Sequence, residues 1–136
     1  MIKRIAHLCL VSKDLTATER FYANALGLKK AFNFLRDGTV TGFYLAVGED
    51  SFIEVFLTDQ TRDGKSSAIK HLCLEVDSID EISARVKKAG YEITDKQLGS
   101  DRSWQAWLTD PNGVRIELHE YTPASSQLTN ADIHMI

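Results

Sequence analysis

The chain of 136 residues is long enough for one compact domain or two closely packed halves, and its 43% hydrophobic and 26% charged content is ordinary for a globular protein. Its net charge of −3 argues against a nucleic-acid binder, which normally carries a clustered basic excess. No apolar run approaches the ~20 residues that cross a bilayer and no signal peptide precedes the first predicted strand, so we expect a cytoplasmic protein that is not bound to a membrane.

A repeated tetrapeptide organises the sequence. His-Leu-Cys-Leu occurs at residues 7–10 and again at 71–74, and at nearly the same distance beyond each copy a glutamate, Glu54 or Glu117, lies in an apolar, strand-like run. Because matched spacing indicates a duplicated unit, we predict two copies of one module within a single domain. The predicted boundaries are 1–59 for the first module, 60–68 for a linker, 69–121 for the second module and 122–136 for a C-terminal tail.

The first module is predicted to have the order β-α-β-β-β. The alternating pattern of residues 5–11 predicts a strand with His7 on one face. Residues 14–26 carry an apolar stripe with helical spacing, which Gly27 brings to an end. Further strands are predicted at 29–35, 40–47 and 52–58.

The second module is predicted to have the same order, beginning with a strand at His71. Ser78 and Glu81 form an S-x-x-E capping box, which predicts a helix over residues 78–89. The Asp-Pro-Asn-Gly sequence at 110–113 is typical of a hairpin turn. The remaining strands are predicted at 91–98, 104–109 and 114–121.

The glutamate strands are predicted to hold their carboxylates on the face opposite the helix. Ile53 and Val55 alternate with Glu54 and its aromatic neighbours, and a similar alternation surrounds Glu117. A carboxylate among aromatic side chains is costly to bury unless a cation compensates its charge. Two imidazoles and two carboxylates suit one divalent ion such as Zn²⁺, Ni²⁺, Co²⁺ or Mn²⁺. We therefore predict a metal site with the ligands His7, Glu54, His71 and Glu117.

The two cysteines also occupy matched positions. Cys9 and Cys73 each lie two residues after a repeat histidine, and so on the same face of the strand. We expect free thiols that are buried as small apolar side chains and line the metal cavity without binding the metal. His119 shares the face of Glu117, but it has no repeat partner and is not predicted to be a ligand.

These features resemble a known family. The paired modules, the opening His-x-x-Leu strand, the Phe-Tyr-Ala-Asn-Ala-Leu-Gly-Leu segment at 21–28 and the Asp-Pro-Asn-Gly-x-x-Ile-Glu segment at 110–117 are similar to those of the vicinal oxygen chelate superfamily. The resemblance covers residues 4–121 and looks closest to glyoxalase I (lactoylglutathione lyase)-like proteins. It implies an α+β fold in which two paired β-α-β-β-β modules form an open, half-barrel mixed sheet around a metal-binding cavity.

The resemblance also implies roles for the residues. The four metal ligands of glyoxalase I correspond to His7, Glu54, His71 and Glu117, whereas dioxygenases use two histidines and one glutamate. Glu117 then corresponds to the principal catalytic base and Glu54 to its near-symmetric counterpart. The resemblance implies a small-molecule substrate, the hemithioacetal formed from methylglyoxal and a thiol. The implied reaction converts it to a 2-hydroxyacyl thioester through an enediolate. Such relatives are commonly homodimers with metal sites at the interface, and we expect the same here.

Other functions stay open at this stage. Bacterial glyoxalase I usually has an arginine four residues after its first ligand and an asparagine four residues after its first glutamate, where this chain has Val11 and Thr58. The alternatives are another metal-dependent reaction of the superfamily, by epimerisation or oxygen chemistry, and the binding of a small molecule as in bleomycin-resistance proteins. The cations considered for an anionic substrate group are Arg36, Lys65 and Arg102.

Overall fold

The computed structural model describes residues 1–60 and 67–135. The chain divides into two compact units, Met1–Asp63 and Gly64–Ile136, which we call module 1 and module 2. Each contains a four-stranded mixed sheet that stays open, together with a long helix, so the predicted α+β class with two β-α-β-β-β modules is confirmed. Most of the predicted linker at 60–68 lies outside the described residues.

Module 1 has a sheet with the strand order β1-β4-β3-β2. Its elements are β1 (His7–Ser12), α1 (Leu15–Leu26), β2 (Lys29–Arg36), β3 (Thr39–Val47) and β4 (Ser51–Leu57). β1 pairs in parallel with β4, and the other neighbours are antiparallel. This order places the strand that begins with His7 directly beside the glutamate strand, with Cys9 opposite Glu54 in register.

Local signals fix the ends of α1. The Asp14 side chain accepts a hydrogen bond from the backbone N–H of Ala17, and Gly27 ends the helix in a left-handed conformation with φ of 71°. The helix packs on β4, which removes the aliphatic face of the sheet from water. The buried apolar core of module 1 comprises Leu10, Phe21, Tyr22, Ala25, Phe43, Leu45, Ile53 and Val55.

Module 2 repeats this arrangement with the strand order β5-β8-β7-β6. Ser78 caps its helix by accepting from the N–H of Glu81, as the capping box predicts. In the turn before the last strand, Asp110 Oδ1 accepts from the backbone N–H of Asn112 and of Val114. The elements are β5 (Leu72–Glu75), α2 (Ile79–Lys88), β6 (Gln97–Leu98), β7 (Trp104–Thr109) and β8 (Arg115–Glu120).

The predicted strand at 91–98 is wrong over most of its length, because only Gln97–Leu98 is a strand. Thr94 accounts for the difference. Its backbone N–H donates to the carbonyl of Trp107 at 2.9 Å, and its hydroxyl accepts from the N–H of Trp107 at 2.8 Å. The N–H of Trp107 thus bonds to a side-chain oxygen instead of a backbone carbonyl of the neighbouring segment, so the backbone pairing with β7 does not continue through Thr94.

The C-terminal tail is bonded to the loop before β7. Arg102 donates from Nε to the carbonyl of Ala124 at 2.9 Å and from a terminal nitrogen to the Ser126 hydroxyl at 2.7 Å. Ser103 donates to the hydroxyl of the fully buried Ser125 at 2.8 Å. The tail continues as a short helix, α3 (Ser126–Thr129). Arg102, considered above for binding an anion, therefore serves to anchor the tail.

Of the two other cations considered for an anionic substrate group, the structure describes one. Arg36 is exposed at the end of β2, whereas Lys65 lies outside the described residues. None of the helices in the described part of the chain has the length and apolar character needed to cross a bilayer.

Candidate metal centre

In module 1 a histidine and a glutamate approach each other from neighbouring strands. Nε2 of His7 lies 3.8 Å from Oε1 of Glu54, and the two side chains are 41% and 14% exposed. Tyr44 is paired with Glu54 across β3 and β4, and its hydroxyl lies 3.4 Å from Nδ1 of His7. A hydrogen bond with Glu54 raises the pKa of the Tyr44 phenol, so this hydroxyl keeps its proton beside the carboxylate.

Module 2 presents a denser group around its glutamate. Nε2 of His71 lies 3.0 Å from Oε2 of Glu117, and Nε2 of His119 lies 2.6 Å from Oε1 of the same carboxylate. The side chain of His71 is 41% exposed, whereas Glu117 and His119 are buried. Glu117 is thus held between two imidazoles, one of which is open to solvent.

Asp101 lies behind His119, with its Oδ2 3.9 Å from Nδ1 of the imidazole. The carboxylate accepts hydrogen bonds from the backbone N–H of Ser103 at 3.0 Å and from the side-chain amide of Gln127 at 2.7 Å. Burial acts to raise the pKa of Asp101, but these hydrogen bonds outweigh it and the pKa lies below its ordinary value. Asp101 is therefore an anion at neutral pH, and its charge lies on the Nδ1 side of His119 while Nε2 faces Glu117.

Both cysteines are free thiols, as predicted, but the prediction that they are buried is wrong because both are exposed. Desolvation, followed by a hydrogen bond and charge repulsion from Glu54, raises the pKa of Cys9 to about 11. Desolvation, followed by the charges of Glu117 and Asp101, raises the pKa of Cys73 to about 11. Both thiols therefore stay protonated at neutral pH.

Cys73 and His119, which the sequence did not predict as ligands, lie beside Glu117. Ligand atoms of Cys73, Glu117 and His119 all lie within 4.8 Å of one another, so these three side chains form a group that can hold a metal ion. The contact between His119 and Glu117 has a signal in the sequence, because alternation along β8 places both side chains on the same face. Comparison of the two modules does not predict this contact, because module 1 has Phe56 at the position that matches His119.

The histidine–glutamate pairs fit a divalent cation in their donor chemistry and spacing. Two ligands with bonds of ~2.1 Å that meet at the ion at roughly 90–110° lie about 3.0–3.4 Å apart. His71 and Glu117 meet this condition at 3.0 Å, and His7 and Glu54, at 3.8 Å, approach it. Each module therefore supplies one nitrogen and one oxygen donor that can chelate Zn²⁺, Ni²⁺, Co²⁺ or Mn²⁺.

An aromatic wall adjoins the pair in module 1. Phe32 stacks on Tyr44 with ring centres 4.7 Å apart, and Phe34 lies against Phe56 at the same distance. Tyr44 also meets Phe52 edge-on at 5.5 Å. Because Phe32 is 50% exposed, the wall offers apolar contact area to a ligand beside Glu54.

Module 2 has a tryptophan and an arginine where module 1 has this aromatic wall. Trp107 is paired with Glu117 across β7 and β8, and its ring meets that of His71 edge-on at 4.9 Å. The guanidinium of Arg115 lies 4.7 Å from the Trp107 ring centre, and both residues line a cleft of about 880 Å³. Arg115 was not among the cations that the sequence suggested, although its position two residues before Glu117 places it on the same face of β8.

Sequence comparison identifies one family. The sequence model of the Glyoxalase/Bleomycin resistance protein/Dioxygenase superfamily matches residues 4–118, which include all four predicted ligands. A comparison with curated proteins gives no match.

Several solved structures are similar to this chain. A glyoxalase family protein from Enterococcus faecalis is 26% identical with a TM-score of 0.72, over 87% of this chain and 98% of that one. A lactoylglutathione lyase from Agrobacterium tumefaciens is 19% identical with a TM-score of 0.68, over 88% and 94%. TnmS3, an antibiotic-binding protein from a Streptomyces species, is 19% identical with a TM-score of 0.73, over 89% and 98%. Because the last two proteins are each 19% identical to this chain, their similarity to it shows a shared fold alone.

Proposed function

The chain belongs to the Glyoxalase/Bleomycin resistance protein/Dioxygenase superfamily, and from this premise we propose that it is a metal-dependent isomerase of the glyoxalase I type. Its substrate is the hemithioacetal of methylglyoxal and a thiol, and its product is a 2-hydroxyacyl thioester. The observation that carries the proposal is the paired donor set, in which His7 approaches Glu54 at 3.8 Å and His71 approaches Glu117 at 3.0 Å. In the proposed enzyme both pairs bind one divalent ion.

The proposed reaction is a proton transfer between neighbouring carbons. The bound metal supplies Lewis-acid stabilisation of the negative charge that develops on the substrate oxygens. Glu117 removes the proton from the carbon that bears the sulfur and returns it to the adjacent carbon, which becomes the carbinol carbon of the product. The hydroxyl proton on the oxygen of the sulfur-bearing carbon passes to the oxygen of the adjacent carbon, so the sulfur-bearing carbon becomes the thioester carbonyl. The conversion therefore needs no external oxidant or reductant.

Glu117 is preferred as the base because its surroundings hold it in place. Its two carboxylate oxygens face different imidazoles, at 3.0 Å for His71 and 2.6 Å for His119. Glu54 has a longer contact of 3.8 Å with His7 and shares its carboxylate with the Tyr44 hydroxyl. A positioned base contributes more to a proton transfer than a loosely held one.

The proposal includes assembly as a homodimer in which each site takes His7 and Glu54 from one chain and His71 and Glu117 from the other. The support is that each donor pair is complete within its own module, on strands that are hydrogen-bonded neighbours. A twofold dimer would then contain two equivalent composite sites.

Metal content and turnover together test the function. Purified protein is expected to retain about one divalent ion per chain by elemental analysis and, with methylglyoxal and glutathione, to form a thioester. Since Val11 and Thr58 replace residues common in glutathione-dependent relatives, other small thiols should be assayed in parallel. Metal-loaded protein that forms no thioester with any of these thiols would reject the proposed isomerase.

A second candidate function is binding of an aromatic or extended apolar small molecule without turnover. The aromatic wall of module 1 favours it, since Phe32 is half exposed and stacks on Tyr44, and the similar fold of the antibiotic-binding protein TnmS3 is consistent with it. Under this alternative Phe32→Ala weakens ligand binding, whereas Glu117→Gln leaves the affinity nearly unchanged. Loss of thioester formation in Glu117→Gln supports the isomerase instead.

A further inference from the structure

We infer that module 2 contains a second, self-contained chelate for a thiophilic divalent cation, formed by Cys73, Glu117 and His119. The donor set differs from the proposed catalytic set because it includes a thiol and uses no residue of module 1. Sγ of Cys73, a carboxylate oxygen of Glu117 and a ring nitrogen of His119 lie within 4.8 Å of one another.

The backbone holds these three donors on rigid, neighbouring positions. Cys73 on β5 is the direct register partner of Glu117 on β8, and His119 follows Glu117 by two residues and therefore shares its face. Sites built on paired strands keep their geometry better than sites on loops. Glu117 and His119 are buried, whereas Cys73 is exposed, so an ion has a route to the donors from the side of the thiol.

The environment of His119 is an independent observation that favours metal binding. A metal-ligating histidine commonly has a carboxylate beyond its second ring nitrogen, which fixes the orientation of the ring. Asp101 faces Nδ1 at 3.9 Å, as a charge contact longer than a hydrogen bond, and it is itself held by Ser103 and Gln127. Nε2 is the nitrogen directed at Glu117, so an ion would bind there in place of the hydrogen bond between these two side chains.

Module 1 has no counterpart of His119 and supplies the matched control. Cys9 is paired with Glu54 as Cys73 is paired with Glu117, but the position of His119 is occupied by Phe56. Within residues 1–60 and 67–135, this three-donor group is found in module 2 alone, although both modules carry a thiol and a carboxylate in register.

The donor types select the cation. Thiolate, imidazole and carboxylate together suit Zn²⁺ and Cd²⁺, with a water in the fourth position, whereas Mg²⁺ and Ca²⁺ prefer sites made of oxygen atoms. Binding releases the thiol proton of Cys73 to solvent, as metal binding to cysteine does generally. It also displaces the proton of the hydrogen bond between Nε2 of His119 and Glu117, so that both atoms can face the ion. Because Glu117 also belongs to the proposed catalytic set, an ion in the module 2 chelate removes that carboxylate from catalysis.

The test is a titration of the metal-free, full-length protein with Cd²⁺, followed by the ultraviolet absorption that arises when a thiolate binds cadmium. The expected result is saturation near one equivalent, an unchanged signal in Cys9→Ser and loss of the signal in Cys73→Ser. His119→Phe, which installs the module 1 residue, should weaken Cd²⁺ binding at least ~10-fold, with circular dichroism to verify folding.

Further variants separate this chelate from the proposed catalytic site, which contains no sulfur. His7→Ala and His71→Ala should retain the thiolate absorption, whether or not the protein proves to be an isomerase. Absence of the absorption at stoichiometric Cd²⁺, its persistence in folded Cys73→Ser, or its loss in Cys9→Ser or His71→Ala would each overturn the inference.

Discussion

Phe56 and His119 occupy the same position in the two modules, each two residues beyond the glutamate of its sheet and on the same face. Phe56 packs against Phe34 at 4.7 Å, whereas His119 hydrogen-bonds to Glu117 at 2.6 Å. The duplicated modules therefore present their glutamates differently, one beside an aromatic ring and the other fixed by an imidazole.

This difference predicts unequal effects of two matched substitutions. Glu117→Gln should retain metal, because an amide oxygen can still coordinate, but should lower turnover ~10²–10⁴-fold, the usual contribution of a general base. Glu54→Gln should reduce turnover less. Elemental analysis and steady-state kinetics provide the measurements, and a larger loss in Glu54→Gln would reverse the assignment of the base.

If each metal site takes two ligands from each chain of a dimer, mixing two different inactive variants should restore activity. His7→Ala and His71→Ala chains should each be inactive alone, because each lacks one metal ligand in every site. In a mixed dimer one site lacks both histidines and the other regains all four ligands, so up to about half of the wild-type activity per dimer should return. Mass spectrometry can verify the exchange, and no recovery in verified heterodimers would show that each site is formed within one chain.

Arg115 is expected to contribute to binding of an anionic substrate group, because its guanidinium lies over Trp107, which in turn contacts His71. Arg115→Ala should raise KM with little change in kcat, the pattern of a residue that binds substrate and transition state equally. Arg115→Lys, which retains the charge, should be affected less. An unchanged KM in Arg115→Ala would remove this residue from the substrate site.

Anchoring of the tail by Arg102 predicts a local loss of stability. Arg102→Ala removes hydrogen bonds to Ala124 and Ser126 and should lower the free energy of unfolding by ~1–3 kcal/mol. Arg36→Ala, at an exposed strand end, should change it by less than about 0.5 kcal/mol. Urea denaturation measures both, and chymotrypsin should cleave at Leu128 sooner in Arg102→Ala than in the control.

Thiol reactivity should depend on pH in a defined direction. The pKa of Cys9 and of Cys73 is raised to about 11 from 9.0, so alkylation by iodoacetamide should keep accelerating between pH 9 and about 11. The same shift favours the folded state below pH 9, and this contribution is lost as the pH rises through about 11. Peptide mass spectrometry can follow each cysteine, and a rate that levels off near pH 9 would contradict the shift.

Local sequence signals predicted most of the fold because they act over a few residues. The Asp14 and Ser78 caps, the Gly27 stop and the turn at Asp110 are each satisfied by neighbouring backbone groups. The strand at 91–98 was predicted too long because it was inferred from its match to the strand at 29–35, and that match gave no sign that the Thr94 hydroxyl would bond to Trp107.

The surroundings of the site were less predictable because they depend on contacts distant in the sequence. Alternation on β8 placed His119 beside Glu117, but the approach of Asp101 to His119 requires the loop before β7 and the tail residue Gln127. No periodic pattern records such a contact. The union of the four ligands on one ion stays a prediction.

The bonded C-terminal tail bears on how the protein should be prepared for study. Gln127 and Ser126 contact the loop that contains Asp101 and Arg102, so an affinity tag attached after Ile136 would extend the segment that is bonded to the neighbour of His119. A polyhistidine tag placed there would also bring additional imidazoles into competition for the ion. The exposed start of the chain at Met1 and Ile2, which precedes the first strand, is the better point of attachment.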